Sequence, residues 1–302
     1  MADGWRVNPS SKIRFAEGGN EMKLGVLAHT FGKRPTAELA QIIADNGFNS
    51  VQLALAKALS DMDSANGKLS PGFANEVGEQ FASRGVKIAV LGCYINPIDP
   101  DPVRRRADIN RFKEHLRYAR DFGCSMVATE TGERTTYKDS HPDTYDEKSW
   151  SVLKDTLEEI TEEAEKWGVH AAIEPVATHT LHTHEHMTRL FEEIPSSNLG
   201  MLFDPCNLIK QHHTADQGAF LREVMEKLYE KMIVIHAKDV AFNAQGEKYN
   251  PVPGAGILDY PLFFELLKTY KPHIDISLEG VNAEEAVPAA KHLRAVWDAV
   301  KV

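Results

Sequence analysis

From Met22 onward, short apolar runs alternate with amphipathic stretches and polar turns, and the alternation continues to the C-terminus. The runs predict strands at Lys23–Ala28, Ser50–Leu55, Lys87–Cys93 and Met126–Glu130, then His170–Glu174, Gly200–Asp204, Met232–His236 and Asp275–Glu279. Several are continuously apolar rather than alternating, the pattern of strands covered on both faces. Helical periodicity fills the gaps. Thr36–Asn46 places Leu39, Ile42 and Ile43 on one face and stops at Gly47; Ser70 and Pro71 open a helix that ends at Gly85. Arg104–Phe122 ends at Gly123 and Asp146–Trp167 at Gly168, so the helix–Gly–strand junction at Gly85 recurs twice more. Shorter helices are predicted at Glu185–Glu193, Asp216–Tyr229, Asp259–Lys271 and Ala283–Val300.

Eight strand–helix units of about 35 residues each match a single closed parallel (β/α)8 TIM barrel, an α/β fold of roughly 250 residues. A doubly wound open sheet needs a glycine fingerprint running from a strand directly into a helix. Gly254-Ala255-Gly256 does not provide one, and no composition shift or linker divides residues 22–302, which read as one catalytic domain.

The chain has 302 residues, 42% of them hydrophobic and 26% charged, enough apolar material for a substantial core. A net charge of −10 argues against a nucleic-acid partner, because binding to the phosphate backbone is driven by Lys and Arg. No apolar run approaches the roughly 18 residues of a membrane-spanning helix, so no membrane partner is expected. Three cysteines outside any C-x-x-C spacing fit a reducing, cytoplasmic setting.

Residues 1–21 stand outside the repeating pattern. Glu17-Gly18-Gly19 can be encoded by a purine-rich ribosome-binding sequence about seven nucleotides before the Met22 codon, so residues 1–21 read as a translated leader or an N-terminal tail. The codons at those positions decide between the two.

In a parallel barrel the chemistry gathers at the C-terminal ends of the strands. Strand five ends in Ile173-Glu174, strand six in Phe203-Asp204-Pro205, strand seven in Ile235-His236 and strand eight in Leu278-Glu279. Taken singly, a polar residue after a strand caps a turn, and a buried His is a hydrogen-bonded core residue. Together, three carboxylates converging without compensation repel one another, and a divalent cation resolves that conflict. One imidazole and three carboxylates suit one Mn2+ first, with Mg2+, Co2+ or Zn2+ as substitutes.

Glu174, Asp204, His236 and Glu279, in this order on the last four strands, resemble the metal set of the xylose-isomerase-like sugar isomerase and epimerase superfamily, which includes tagatose epimerase and inosose isomerase. Gly254-Ala255-Gly256 before the seventh helix is similar to that superfamily's G-x-G turn. The resemblance runs from Met22 to the end and implies a sugar or polyol substrate and a homodimer or homotetramer. The ketose 3-epimerases differ at three substrate-positioning places: their His, Glu and Arg correspond here to Asn207, Thr180 and Phe242. The abasic-site endonucleases of the superfamily need further His and Asp ligands, and Asn207 stands where one would be.

The remaining candidates for substrate contact are His29 after strand one, Tyr94 and Asn96 after strand three, Glu130 at the end of strand four, His182 in the His-rich loop after strand five, Asn207, and Lys238 two residues past His236. His184-Glu185 lacks the second His of H-E-x-x-H, since Thr188 stands there, which excludes the zinc-protease motif. Neither a P-loop nor a basic cluster appears at the strand ends, so a phosphate clamp is not expected.

The expected activity is a divalent-metal-dependent isomerase or epimerase of a ketose, keto-inositol or related polyol acting through an enediolate, with Glu174 and Glu279 exchanging the proton. The alternatives are a lyase or hydrolase of a 3-keto-glycoside and a noncatalytic sugar-binding barrel.

Overall fold

The computed structural model describes residues 21–138 and 145–302. The leader reading of residues 1–21 therefore falls, apart from Glu21, outside the described residues.

Eight parallel strands close into a barrel: β1 (Leu24–Leu27), β2 (Ser50–Leu53), β3 (Lys87–Gly92), β4 (Met126–Thr129), β5 (His170–Ile173), β6 (Leu199–Phe203), β7 (Met232–Ala237) and β8 (Asp275–Leu278). Each pairs with its sequence neighbours, and β1 closes the ring by pairing with both β2 and β8, in the register Gly25↔Ser277 and Val26↔Val51. The main helices lie between consecutive strands: α1 (Thr36–Asp45), α2 (Pro71–Ala82), α3 (Pro102–Tyr118), α4 (Tyr145–Trp167), α5 (His184–Glu193), α6 (Gln217–Leu228), α7 (Tyr260–Tyr270) and α8 (Ala283–Ala299). This is the single (β/α)8 barrel that the strand–helix alternation predicts.

The helix starts follow side-chain caps. The Ser70 hydroxyl accepts from Phe73 N–H with Pro71 at the first position, and Asn282 and Glu285 form a reciprocal capping box. α3 begins two residues before the expected Arg104, because the Asp101 carboxylate accepts from Val103 and Arg104 N–H and Pro102 fits the first turn. Gly85, Gly123 and Gly168 each end a helix at positive φ, at 73°, 73° and 59°. Apolar side chains from strands and helices merge into one core, with Phe81, Phe112, Phe263, Phe264 and Trp297 among its largest buried members. A small antiparallel pair, Ala241–Phe242 with Lys248–Tyr249, is inserted after β7. Among the described residues, no helix is long and apolar enough to cross a membrane.

Candidate metal centre

The ladders of β5, β6 and β8 stop one residue before Glu174, Asp204 and Glu279, while β7 carries His236 inside its last turn of ladder. These four residues supply ligand atoms that all lie within 4.8 Å of one another. Glu174, Asp204 and His236 are buried, and Glu279 keeps 24% of its side chain exposed, which leaves the cluster open on one side. Because the strands run in order around the barrel, the two glutamates stand outermost and flank Asp204 and His236.

The two oxygens of Asp204 are used differently. Its Oδ1 caps the short helix Pro205–Leu208, accepting from Cys206 N–H at 2.8 Å and Asn207 N–H at 3.3 Å, while Oδ2 is buried and makes no hydrogen bond. His236 Nδ1 lies 2.6 Å from Glu279 Oε2 and 3.3 Å from Glu174 Oε1. Neither His236 Nδ1 nor Glu279 Oε2 has a hydrogen bond of good geometry, so three unsatisfied ligand atoms converge. On its other side, His236 Nε2 faces Gln52 Oε1 at 2.9 Å, and Gln52 Nε2–H donates to the Tyr94 hydroxyl at 3.0 Å. An amide oxygen only accepts, so Nε2 carries a proton, and Nδ1 is the nitrogen that faces the carboxylates and would offer its lone pair to a cation bound among them.

The electrostatics carry the strain of an acidic cluster. Burial raises the pKa of Glu174 against the pull of His236. Burial also pushes Asp204 up to about 7, opposed by Lys238 and reinforced by Glu279 and Glu174. For Glu279 burial acts upward too, but His236 and Lys238 outweigh it and hold the carboxyl well below its usual range. Burial disfavours the charged imidazole, yet Glu174 and Glu279 raise His236 above its ordinary value. Lys238 lies 3.2 Å from Glu279 Oε1 and 3.7 Å from Asp204 Oδ2. One divalent cation and the Lys238 ammonium together balance the three carboxylates. The donor set, the unsatisfied atoms and the charge therefore fit a divalent cation.

Among the other candidates, Asn207 donates to Glu174 Oε1 at 2.8 Å and stands 3.4 Å from Lys238 Nζ. Tyr94 reaches the cluster through Gln52. His29 has a buried Nδ1 without a partner, and burial, Lys57 and Glu279 act on its pKa, the first two lowering it. Glu130 is raised by burial and by Glu279, which places it in the same field. Two candidates are engaged differently. The Asn96 side-chain oxygen accepts from Ile98 N–H at 3.3 Å, closing its own loop. His182 packs 4.2 Å from His186 and lines a pocket of about 160 Å³ with His184, Lys210 and His213, formed by residues outside the metal cluster.

Three further residues, Gln52, Lys57 and Lys248, shape the surroundings of the cluster. Gln52 was visible only as one polar side chain within an apolar strand. Lys57 stands 4.0 Å from the Tyr94 ring centroid and acts on both His29 and Glu130, so this side of the mouth carries a cation beside Lys238. Lys248, from the inserted hairpin, donates to the carbonyls of Cys206, Asn207 and Ile209 and clips the turn that presents Asn207. The Gly254-Ala255-Gly256 turn has a physical cause: Asp239 accepts from the N–H groups of Gly254 (2.8 Å) and Gly256 (3.1 Å), and a Cβ on Gly256 would stand 2.2 Å from Asp239 Oδ1.

A D-tagatose 3-epimerase-like protein of known structure superposes with a TM-score of 0.72 at 21% identity, over 92% of this chain and 98% of its own. The 3-keto-D-glucoside 4-epimerase YcjR from E. coli gives 0.70 at 18% identity, over 91% of this chain and 100% of its own. The zinc-containing IOLI protein also gives 0.70 at 18%, over 93% and 99%. A search of curated protein sequences finds no match. The family model described as xylose isomerase-like TIM barrel matches residues 40–298, most of the chain, and with the barrel and its acidic strand ends this establishes that the protein belongs to the xylose isomerase-like TIM barrel family.

Proposed function

We propose that this protein is a divalent-metal-dependent isomerase or epimerase of a ketose, keto-inositol or related polyol. The observation that carries the reading is the convergence of unsatisfied Asp204 Oδ2, His236 Nδ1 and Glu279 Oε2 beside Glu174 at the open end of the barrel. Glu174, Asp204, His236 and Glu279 hold the cation, Mn2+ in the first instance, with Mg2+, Co2+ and Zn2+ as substitutes. Bound there, a divalent cation supplies positive charge for the oxygens of a developing enediolate. Glu174 and Glu279, outermost in the cluster, flank the substrate; one takes the proton from carbon and the other returns one to the opposite face. Asn207 orients Glu174, and Lys238 orients Glu279 and donates to a substrate hydroxyl. His29, Tyr94 and Glu130 line the mouth and position the remaining hydroxyls.

The folds of a tagatose-epimerase-like protein and of a 3-keto-glucoside epimerase support a carbonyl-bearing sugar as substrate. A mass-resolved screen of the metal-loaded protein over keto-sugars, inososes and 3-keto-glycosides tests the reading. Epimerisation preserves mass, elimination releases an aglycone, and a binding barrel turns nothing over. Conversion of a keto-sugar at constant mass is expected; aglycone release or no turnover would reject it. Light scattering tests the homodimer or homotetramer expected of the family.

A further inference from the structure

Beside the metal centre, behind Tyr94, lies a cavity of about 110 Å³ between the ends of β2 and β3 and helix α3. Tyr94 is the wall shared with the metal centre. Its hydroxyl is tied through Gln52 to His236, its ring borders the cavity, and the Lys57 ammonium stands over that ring at 4.0 Å. Arg111, from α3, forms the far wall. Its Nη2 donates to Tyr94 O at 2.7 Å and to Asp108 Oδ1 at 3.1 Å, but its Nε is buried and has no partner. Ser64 and His115 complete the polar lining. The His115 Nδ1 proton is committed to Arg111 O at 2.8 Å, and burial pushes this imidazole down to about 4, so it is neutral near pH 7.

The cavity thus offers donors in excess: Arg111 Nε–H, the Lys57 ammonium and the Ser64 hydroxyl. Its charge is set by Lys57, because Arg111 is matched by Asp108, and Lys57 makes no ion pair with a carboxylate among the described residues. One net positive charge suits a monoanion, whereas a phosphate ester brings about −1.5 to −2. Size narrows the ligand further. A cavity of about 150 Å³ takes up a six-carbon ring, so this smaller one admits a group of a few heavy atoms and not a second sugar.

We propose that this cavity is a subsite for a carboxylate carried by the substrate, which makes the substrate class of the metal centre a keto-sugar acid or an acidic polyol. The inference rests on the reading of the metal centre as a sugar site. The orphan Arg111 N–H and the Lys57 ammonium at the lip provide charge-assisted hydrogen bonds to the carboxylate, and Lys57, which also acts on His29 and Glu130 at the mouth, marks the edge of Tyr94 around which the hydroxyl-bearing carbons continue to the metal centre. The field of Lys57 at His29 and Glu130 is consistent with the cavity and the mouth being adjacent.

The test compares D-gluconate with D-glucitol by titration calorimetry on the metal-loaded protein, with acetate and inorganic phosphate as free-anion probes. Gluconate is expected to bind at least about tenfold more tightly than glucitol, the scale of one charge-assisted hydrogen bond. In Lys57→Gln that ratio should fall below about threefold on the same scale. Ser64→Leu, which fills the cavity without changing charge, should lower the ratio as well. Both substitutions spare the half-buried Arg111–Tyr94 contact, so the test does not depend on an Arg111 variant folding. Equal affinity for acid and polyol, or a gluconate preference that survives both variants, overturns the proposal. Lys57-dependent binding of acetate or phosphate without any gluconate preference also overturns it, since the cavity then serves a free anion. Failure of the parent reading looks different: polyol binding would be the same in Asp204→Ala as in the wild type.

Discussion

Replacing Gln52 by Leu isolates the support of the proposed metal ligand His236 from the ligand itself. Gln52 is fully buried and lies 2.9 Å from His236 Nε2 and 3.0 Å from the Tyr94 hydroxyl. Leucine keeps approximate volume but removes the acceptor that fixes the ring tautomer. The buried Nε2–H then loses its partner, at a cost of about 1–3 kcal/mol. Part of that is recovered when the ring turns or changes tautomer, and either movement takes the Nδ1 lone pair away from the cluster. Loss of an outer-sphere partner of this kind weakens metal affinity by about 10–100-fold, or about 1.4–2.8 kcal/mol. Competition with a chromogenic chelator measures this for Mn2+ and Zn2+, with circular dichroism to verify the fold. Tyr94→Phe leaves the Gln52 oxygen on His236 Nε2 and should change metal affinity by less than about threefold, because the unpaired Gln52 N–H it creates costs fold stability with and without metal alike. Wild-type metal affinity in Gln52→Leu, with the fold intact, would refute the assignment of Nδ1 as the ligand atom and of Gln52 as its positioning residue.

Asp204→Ala and His236→Ala should each abolish high-affinity binding of one divalent ion per chain, read by metal analysis after dialysis; a full metal complement in either variant rejects the site. Glu174→Gln and Glu279→Gln should retain measurable metal but lose at least about two decades in kcat, the scale of general acid–base catalysis. Wild-type turnover in deuterium oxide should place deuterium on the substrate carbon, and near-normal turnover by both variants would count against two-base chemistry. The buried neutral His115 sets a pH dependence. Its folded pKa of about 4 lies below the ordinary 6.5, so the unfolded chain takes up the proton first and stability is lost as pH falls from about 6.5 to about 4. His115→Gln should flatten that slope by up to about 3 kcal/mol in urea unfolding across the window, and an unchanged slope would show that His115 does not titrate this way.

Local patterns sufficed for the barrel. Continuously apolar runs, the caps at Ser70 and Asn282, and the glycine stops at Gly85, Gly123 and Gly168 each act within a few residues, so the eight strands and eight helices were legible along the chain. The placement of Glu174, Asp204, His236 and Glu279 at four strand ends was legible for the same reason: in a parallel barrel, the end of each strand faces one rim. What surrounds them was not. Gln52 meets His236 across 184 positions, Lys248 grips the carbonyls of Cys206, Asn207 and Ile209 from a hairpin some forty positions away, and Lys57 and Arg111 line one cavity only because the ends of β2 and β3 and helix α3 enclose it. Asn96 closes its own loop and His182 lines another pocket for a related reason, since which way a loop side chain turns is settled by the partners packed around it. The sequence determined which groups reach the rim, through periodicity and strand length. Only the tertiary structure decided which of them meet, because hydrogen bonds and burial between distant strands depend on barrel closure and register rather than on any local signal.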